Sequence, residues 1–176
     1  MLISERPMFG SGDRSTVSPK DGLWLGEDPE CAIDSAAPAA SWPECATWII
    51  VRASGADLEL NDGKDQSQRL SSVFVNGEPM IIEAQYVDNA KHPPTTTYVY
   101  FAIEPQSLAP DGHFTRASVW AVECGIQDAG SSQIRSFLGV TPECRPTSQS
   151  AIHAAATASR RSDQIKSWRW VRAEER

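Results

Sequence analysis

The sequence predicts an α+β domain, mostly antiparallel sheet arranged as a sandwich or partial barrel of about seven strands, with one late helix. Three observations predict it. Apolar runs between residues 22 and 122 are short, rich in β-branched and aromatic residues, and fenced by Gly, Pro and Asn. A helical repeat appears only after Pro146. Strand and helix signals do not alternate along the chain, so a doubly wound or P-loop fold has no support. The length of 176 residues allows a sizeable core, and 40% hydrophobic against 22% charged residues reads as a globular chain.

The elements follow in order. Residues 1–20 are rich in Ser, Gly and Pro over their second half and read as a flexible lead-in or tether, leaving 21–176 as a single globular domain. Gly22-Leu23-Trp24-Leu25-Gly26 reads as a first edge strand. An Ala/Pro-rich loop fills 27–45. Thr47 to Arg52 is a continuous β-branched and aromatic run, hence a buried strand. Asp57-Leu58-Glu59-Leu60 alternates, and Asp62-Gly63 signals a hairpin turn. Ser71 to Val75 leads into Asn76-Gly77, a strong signal for a two-residue hairpin, and Met80 to Val87 reads as the return strand. His92-Pro93-Pro94 stops regular structure. Thr97 to Ile103 is a strand by composition, Pro110-Asp111-Gly112 a turn, and Phe114 to Val122 another strand. Ile134 to Val140 reads as a short strand or turn. Ser148 caps a helix whose Ile152, Ala155, Ala156 and Ser159 share one face. Ile165 to Arg172 alternates and suits a last strand.

The cysteines are Cys31, Cys45, Cys124 and Cys144. Three pairings are possible, and the spacings favour the local pairs Cys31 with Cys45 and Cys124 with Cys144. Every one of the four directly follows a glutamate. A neighbouring carboxylate raises a thiol pKa and disfavours the thiolate that redox or zinc chemistry needs. No C-x-x-C spacing is present. Two structural disulfides are expected, with free buried thiols as the alternative; each bridge would contribute on the order of 3 kcal/mol and would imply an oxidising compartment. The start Met1-Leu2-Ile3-Ser4-Glu5-Arg6 lacks the apolar stretch of a secretory leader, so a periplasmic or envelope location requires a leader missing from this chain; the alternative is cytoplasmic.

Net charge is −7, which argues against nucleic-acid binding by the whole surface. No apolar run approaches the ~20 residues that span a bilayer. Charge is uneven: residues 1–144 carry nine basic and twenty acidic side chains, residues 145–176 seven basic and three acidic. A basic tail docked on an acidic body explains this, as does a contact surface for an anionic partner. Within the tail, alternation places Lys166, Trp168, Trp170 and Arg172 on one strand face, with Arg169 beside them. Basic residues interleaved with tryptophan suit a single-stranded nucleic-acid platform, and equally suit sheet packing by Trp rings and Lys or Arg stems.

No catalytic, cofactor or metal constellation emerges. Gly10-Ser11-Gly12 lacks a following Gly-Lys-Ser/Thr and reads as linker. No Gly-x-Ser-x-Gly elbow exists. Asp57, Glu59, Asn61, Asp62 and Asp65 cluster, yet the sixth and twelfth positions counted from Asp57 are Asp62 and Gln68, not the Gly and Glu of an EF-hand. His92, His113 and His153 are far apart. His92 and His113 lie in loops, and His113 follows the Pro110-Asp111-Gly112 turn, so these two are the loop candidates for a histidine-based site.

Gly22-Leu23-Trp24, then Cys31, then Trp42-Pro43-Glu44-Cys45-Ala46 resembles the start of uncharacterised small bacterial envelope lipoproteins. These carry Gly-x-Trp near the mature N-terminus and Trp-Pro-x-Cys-Ala a few tens of residues on. The resemblance implies a tethered periplasmic domain. It departs from that pattern in having no lipid-accepting cysteine near its start, and it brings no activity and no catalytic residues. Three functions are therefore expected in order: a non-enzymatic, disulfide-stapled envelope domain acting by protein or envelope contact; a small hydrolase with a loop-borne histidine; and a cytosolic binding module using the Trp-rich basic segment.

Overall fold

A computed structural model of the chain describes residues 1–52, 57–61, 68–127, 134–161 and 163–173. Among them the strands are β1 (Ile3–Ser4), β2 (Ser18–Pro19), β3 (Gly22–Gly26), β4 (Trp48–Arg52), β5 (Asp57–Asn61), β6 (Gln68–Val75), β7 (Met80–Asp88), β8 (Thr95–Leu108), β9 (His113–Ala121), β10 (Gly125–Gln127), β11 (Ile134–Ser136) and β12 (Lys166–Arg172). The helix α1 spans Gln149–Ala158. The mostly antiparallel sheet with one late helix is as the sequence predicts, although ten helical residues make it more nearly an all-β protein. The extra strands are two or three residues long, too short for periodicity to mark. Asp62-Gly63 and Asp65 lie outside the described residues.

The chain packs as two compact units, each assembled from separated segments. The first takes residues 1–15, 72–104 and 119–165. Its strand order is β1-β8-β7-β6. β7 and β8 pair from Met80 with Ile103 to Asp88 with Thr95, and the hairpin turns through residues 89–94, which include a cis His92-Pro93 bond. α1 starts where expected: the Ser148 hydroxyl accepts from the Ala151 N–H, satisfying one of the helix's free donors. Ile152, Ala155 and Ala156 are fully buried, and the Trp120 indole N–H donates to the Ala156 carbonyl at 2.9 Å. Burying an Ile side chain in this core contributes roughly 1.5–3 kcal/mol.

Residues 1–15 carry part of this core. The flexible lead-in expected from composition instead pairs Ile3–Ser4 with Tyr98 and Val99 and buries Leu2 and Phe9. Two isolated apolar side chains anchor it, a pattern too sparse to register as an element.

The connection between β6 and β7 also differs from expectation. A two-residue type I′ turn needs positive φ at both central positions. Among the described residues, positive φ occurs at Gly22, Gly112, Gly139 and Cys144, not at Asn76 or Gly77. The chain turns instead through residues 76–79 with a cis Glu78-Pro79 bond. Gly77 is required for another reason. A Cβ there would lie 2.8 Å from His153 Nδ1, so the imidazole of α1 packs directly on the glycine backbone.

The second unit takes residues 16–71, 105–118 and 166–176. Its order is β6-β5-β4-β3-β12-β9-β2. All its pairs with a stated register are antiparallel except β2 with β9, where Ser18 and Pro19 run parallel to His113 and Phe114. β3 is not the edge strand the sequence suggests, because β4 and β12 flank it on both sides. Leu23, Trp24 and Leu25 are all buried, the mark of a strand covered on both faces.

Candidate functional site

β12 is the segment with the most suggestive chemistry, and its register decides what each side chain does. Directly opposed residues of an antiparallel pair share a sheet face. Trp170 opposes Trp24 and Trp168 opposes Gly26, so both tryptophans lie on the Trp24 face. An extra residue then interrupts the ladder, and Arg172 opposes Leu23. This bulge moves Arg172 off the tryptophan face and onto the one that Arg169 shares with Leu25. The single basic-aromatic face of Lys166, Trp168, Trp170 and Arg172 is thus broken at its last member.

The polar ends of this strand are engaged within the unit. Trp170 donates its indole N–H to the Asp21 carbonyl at 2.8 Å, and Lys20 Nζ sits 4.5 Å above its ring. Trp168 lies over Gly26, and Trp170 over Gly22, whose φ of 126° and closeness to the Arg172 carbonyl leave no room for a side chain. Large rings covering bare glycine backbone is a packing arrangement. Arg169 faces Glu27 at 3.7 Å, and Glu27 also pairs with Arg116. Arg172 donates to the Ser35 and Ala37 carbonyls at 2.7 and 3.1 Å, gripping the loop closed by Cys31 and Cys45. Lys166 is exposed.

The two loop histidines part company. His92 is exposed at the β7–β8 turn. His113 is half-buried, and its Nδ1 lies 2.9 Å from the Ser18 hydroxyl, brought there by the parallel β2–β9 register. The Asp111 carboxylate accepts from the His113 backbone N–H at 3.1 Å, fixing the residue without touching the ring. A serine and a histidine in hydrogen-bond reach are the first requirement of a nucleophilic dyad. His113 stands out in the sequence as a loop histidine and Ser18 does not, because parallel pairing of two-residue strands leaves no spacing signature.

All four cysteines are paired, Cys31 with Cys45 and Cys124 with Cys144, as their spacing favours. The sulfurs are held differently. Cys124 is buried and Cys45 exposed. Cys144 takes a left-handed conformation with φ of 64°, uncommon for a side chain with a Cβ, and its carbonyl accepts from Ile3. Among the described residues, no group of three or more His, Cys, Asp or Glu side chains converges as a metal site.

Two features were missed from sequence. One is a buried polar chain in the first unit. Glu83, 2% exposed, accepts from the Met8 N–H at 2.7 Å and contacts the Phe9 N–H and the Tyr100 hydroxyl. The Tyr100 hydroxyl is 2.6 Å from Ser4 Oγ, which in turn donates to the Arg6 carbonyl at 2.6 Å. Three oxygen–oxygen contacts run in series, from Glu83 to Tyr100 to Ser4 to Arg6, and the two hydroxyls supply two hydrogens. Burial pushes the Glu83 carboxyl above the ordinary range, against the pull of its N–H and O–H donors, and burial likewise raises Tyr100. The signal was present: an acid inside Met80-Ile81-Ile82-Glu83-Ala84, a run buried on both faces. The second feature is apolar exposure around β10 and β11. Ile126, Ile134 and above all Leu138, 94% exposed in the turn Phe137–Val140, point to solvent while Phe137 packs on the core.

Two disulfides fit an oxidising environment. Among the described residues no helix is long and apolar enough to cross a membrane. Comparison of the chain with protein-family models, with curated proteins and with solved structures finds no match.

Proposed function

We propose that this protein is a non-enzymatic, disulfide-stapled domain of an oxidising compartment, the bacterial envelope first, acting by contact with another protein or an envelope component. The closure of both cysteine pairs carries this reading. The N-terminal Gly-x-Trp and Trp-Pro-x-Cys-Ala resemblance points the same way. Leu138, 94% exposed, offers an apolar side chain for such contact, because an apolar side chain held in water gains by being covered. The test is intact-mass measurement with thiol alkylation, with and without reduction, on protein fractionated from its own cell. The expected outcome is an envelope fraction with four protected cysteines. Four free thiols in a folded sample would refute the reading.

One observation favours a second reading, a small hydrolase: the Ser18 hydroxyl at 2.9 Å from His113 Nδ1. Its test is covalent labelling by a fluorophosphonate probe. Labelling of the native chain that disappears in Ser18→Ala supports a nucleophilic serine, and equal labelling of both chains rejects it.

A further inference from the structure

The turn between β6 and β7 holds an asparagine followed by a glycine, both exposed, in a stretch where neither belongs to a strand. Asparagine side chains are attacked by the backbone nitrogen of the next residue, and bulk on that residue is what ordinarily slows the attack. Here the next residue has none and is unable to gain any. A Cβ on Gly77 would lie 2.5 Å from His153 Cε1, 2.8 Å from His153 Nδ1 and 2.9 Å from the Pro79 carbonyl. The imidazole is itself fixed, packed edge-on to Phe9 with ring centroids 5.9 Å apart and bonded to the Pro79 carbonyl. The fold therefore commits this position to glycine and, with it, to an unshielded backbone nitrogen beside Asn76. The type I′ geometry that most often explains an Asn-Gly pair is not in use, so turn conformation is not why the glycine is there.

We propose that Asn76-Gly77 is a self-modification site. The Gly77 nitrogen bonds to the Asn76 side-chain carbonyl carbon and gives up its proton. The bond from that carbon to the amide nitrogen breaks, and ammonia leaves carrying the proton. Water then opens the resulting succinimide at either carbonyl, giving aspartate or isoaspartate at position 76. The reaction consumes one water, releases one ammonia, and needs no oxidant or cofactor. It places a carboxylate two residues from Glu78, on the turn against which the half-buried His153 of α1 packs. Burial lowers the affinity of His153 for a proton, and a new negative charge nearby raises it. The isoaspartate form also lengthens the main chain where Gly77 supports the ring that packs on Phe9.

The experiment incubates the folded, oxidised protein at neutral pH and 37 °C and maps its peptides over weeks. An isoaspartyl methyltransferase with its methyl donor serves as the labelling probe. The expected result is a gain of about one dalton and methyl labelling at position 76, at least tenfold faster than at Asn89, whose neighbour is alanine. Asn76→Gln abolishes both signals while keeping the fold, as circular dichroism checks. An Asn76 that remains amide, or that converts no faster than Asn89, overturns the proposal.

Discussion

Ser159→Ala isolates the most informative single hydrogen bond in the first unit. The Ser159 hydroxyl, 1% exposed, accepts from the Glu123 N–H at 2.8 Å and donates to the Ala155 carbonyl at 2.7 Å. It thereby ties the end of α1 to the chain just after β9. The two partners respond differently to its loss. The Ala155 carbonyl keeps a second donor, the Ser159 backbone N–H at 2.8 Å. The Glu123 N–H is left without its acceptor in a part-buried place, and an orphaned buried donor costs about 1–3 kcal/mol. Removing one oxygen opens little volume, so the cavity contribution is small. With a urea slope of roughly 2 kcal/mol/M, the midpoint falls by about 0.5–1.5 M. Two measurements read the effect: a urea titration followed by circular dichroism with disulfides intact, and hydrogen exchange at the Glu123 amide. The amide loses protection by more than the global change in stability accounts for. A stability unchanged within about 0.3 kcal/mol, with Glu123 still protected, refutes the bond's role.

Glu83→Gln removes a carboxyl that burial holds above its ordinary range. A raised folded pKa means the native state binds the proton more tightly, so the wild type loses stability as pH rises through that value. The Gln variant lacks this loss, and urea midpoints measured from pH 4 to pH 8 rise for the variant relative to wild type across the window. Graded reduction with dithiothreitol opens Cys31–Cys45 first, because each bridge has one buried cysteine but the other is exposed at Cys45 and only half-exposed at Cys144; alkylation and peptide mapping that find Cys124–Cys144 opening first contradict this. Arg172→Ala frees the Ser35 and Ala37 carbonyls, and protease nicking between residues 31 and 45 accelerates several-fold in the reduced protein. Leu138→Asp changes stability by less than about 0.5 kcal/mol, since the side chain is 94% exposed; a larger loss by thermal melting shows that Leu138 packs.

Elements with a strong local pattern were legible in the sequence. β7, β9, the capped α1 with Ile152 and Ala155 inward, and β12 all fall within a residue or two of where the sequence pattern puts them, while β8 runs on to Leu108, five residues past its expected end. The disulfide partners were legible from spacing. What escaped depended on long-range register. Ser18 meets His113 only through a parallel bridge of two residues, Arg172 changes face only through a bulge, and β3 becomes interior only because β12 arrives beside it. Asn76-Gly77 misled for a related reason: a tertiary contact from His153, not a turn type, fixes the glycine. Glu83 was visible as an acid inside an apolar run, but its partners come from segments far away in the chain.

The position of β12 carries a consequence for how the chain is made. In the second unit β12 lies between β3 and β9, although it follows both by a long stretch of sequence. Until residue 172 has left the ribosome, β3 and β9 each present an unpaired row of N–H and C=O groups to the cell. Sequence-distant pairing of this kind is slow, and half-built sheets with apolar edges invite mispairing. Folding of the second unit therefore waits on the synthesis of residues 166–172.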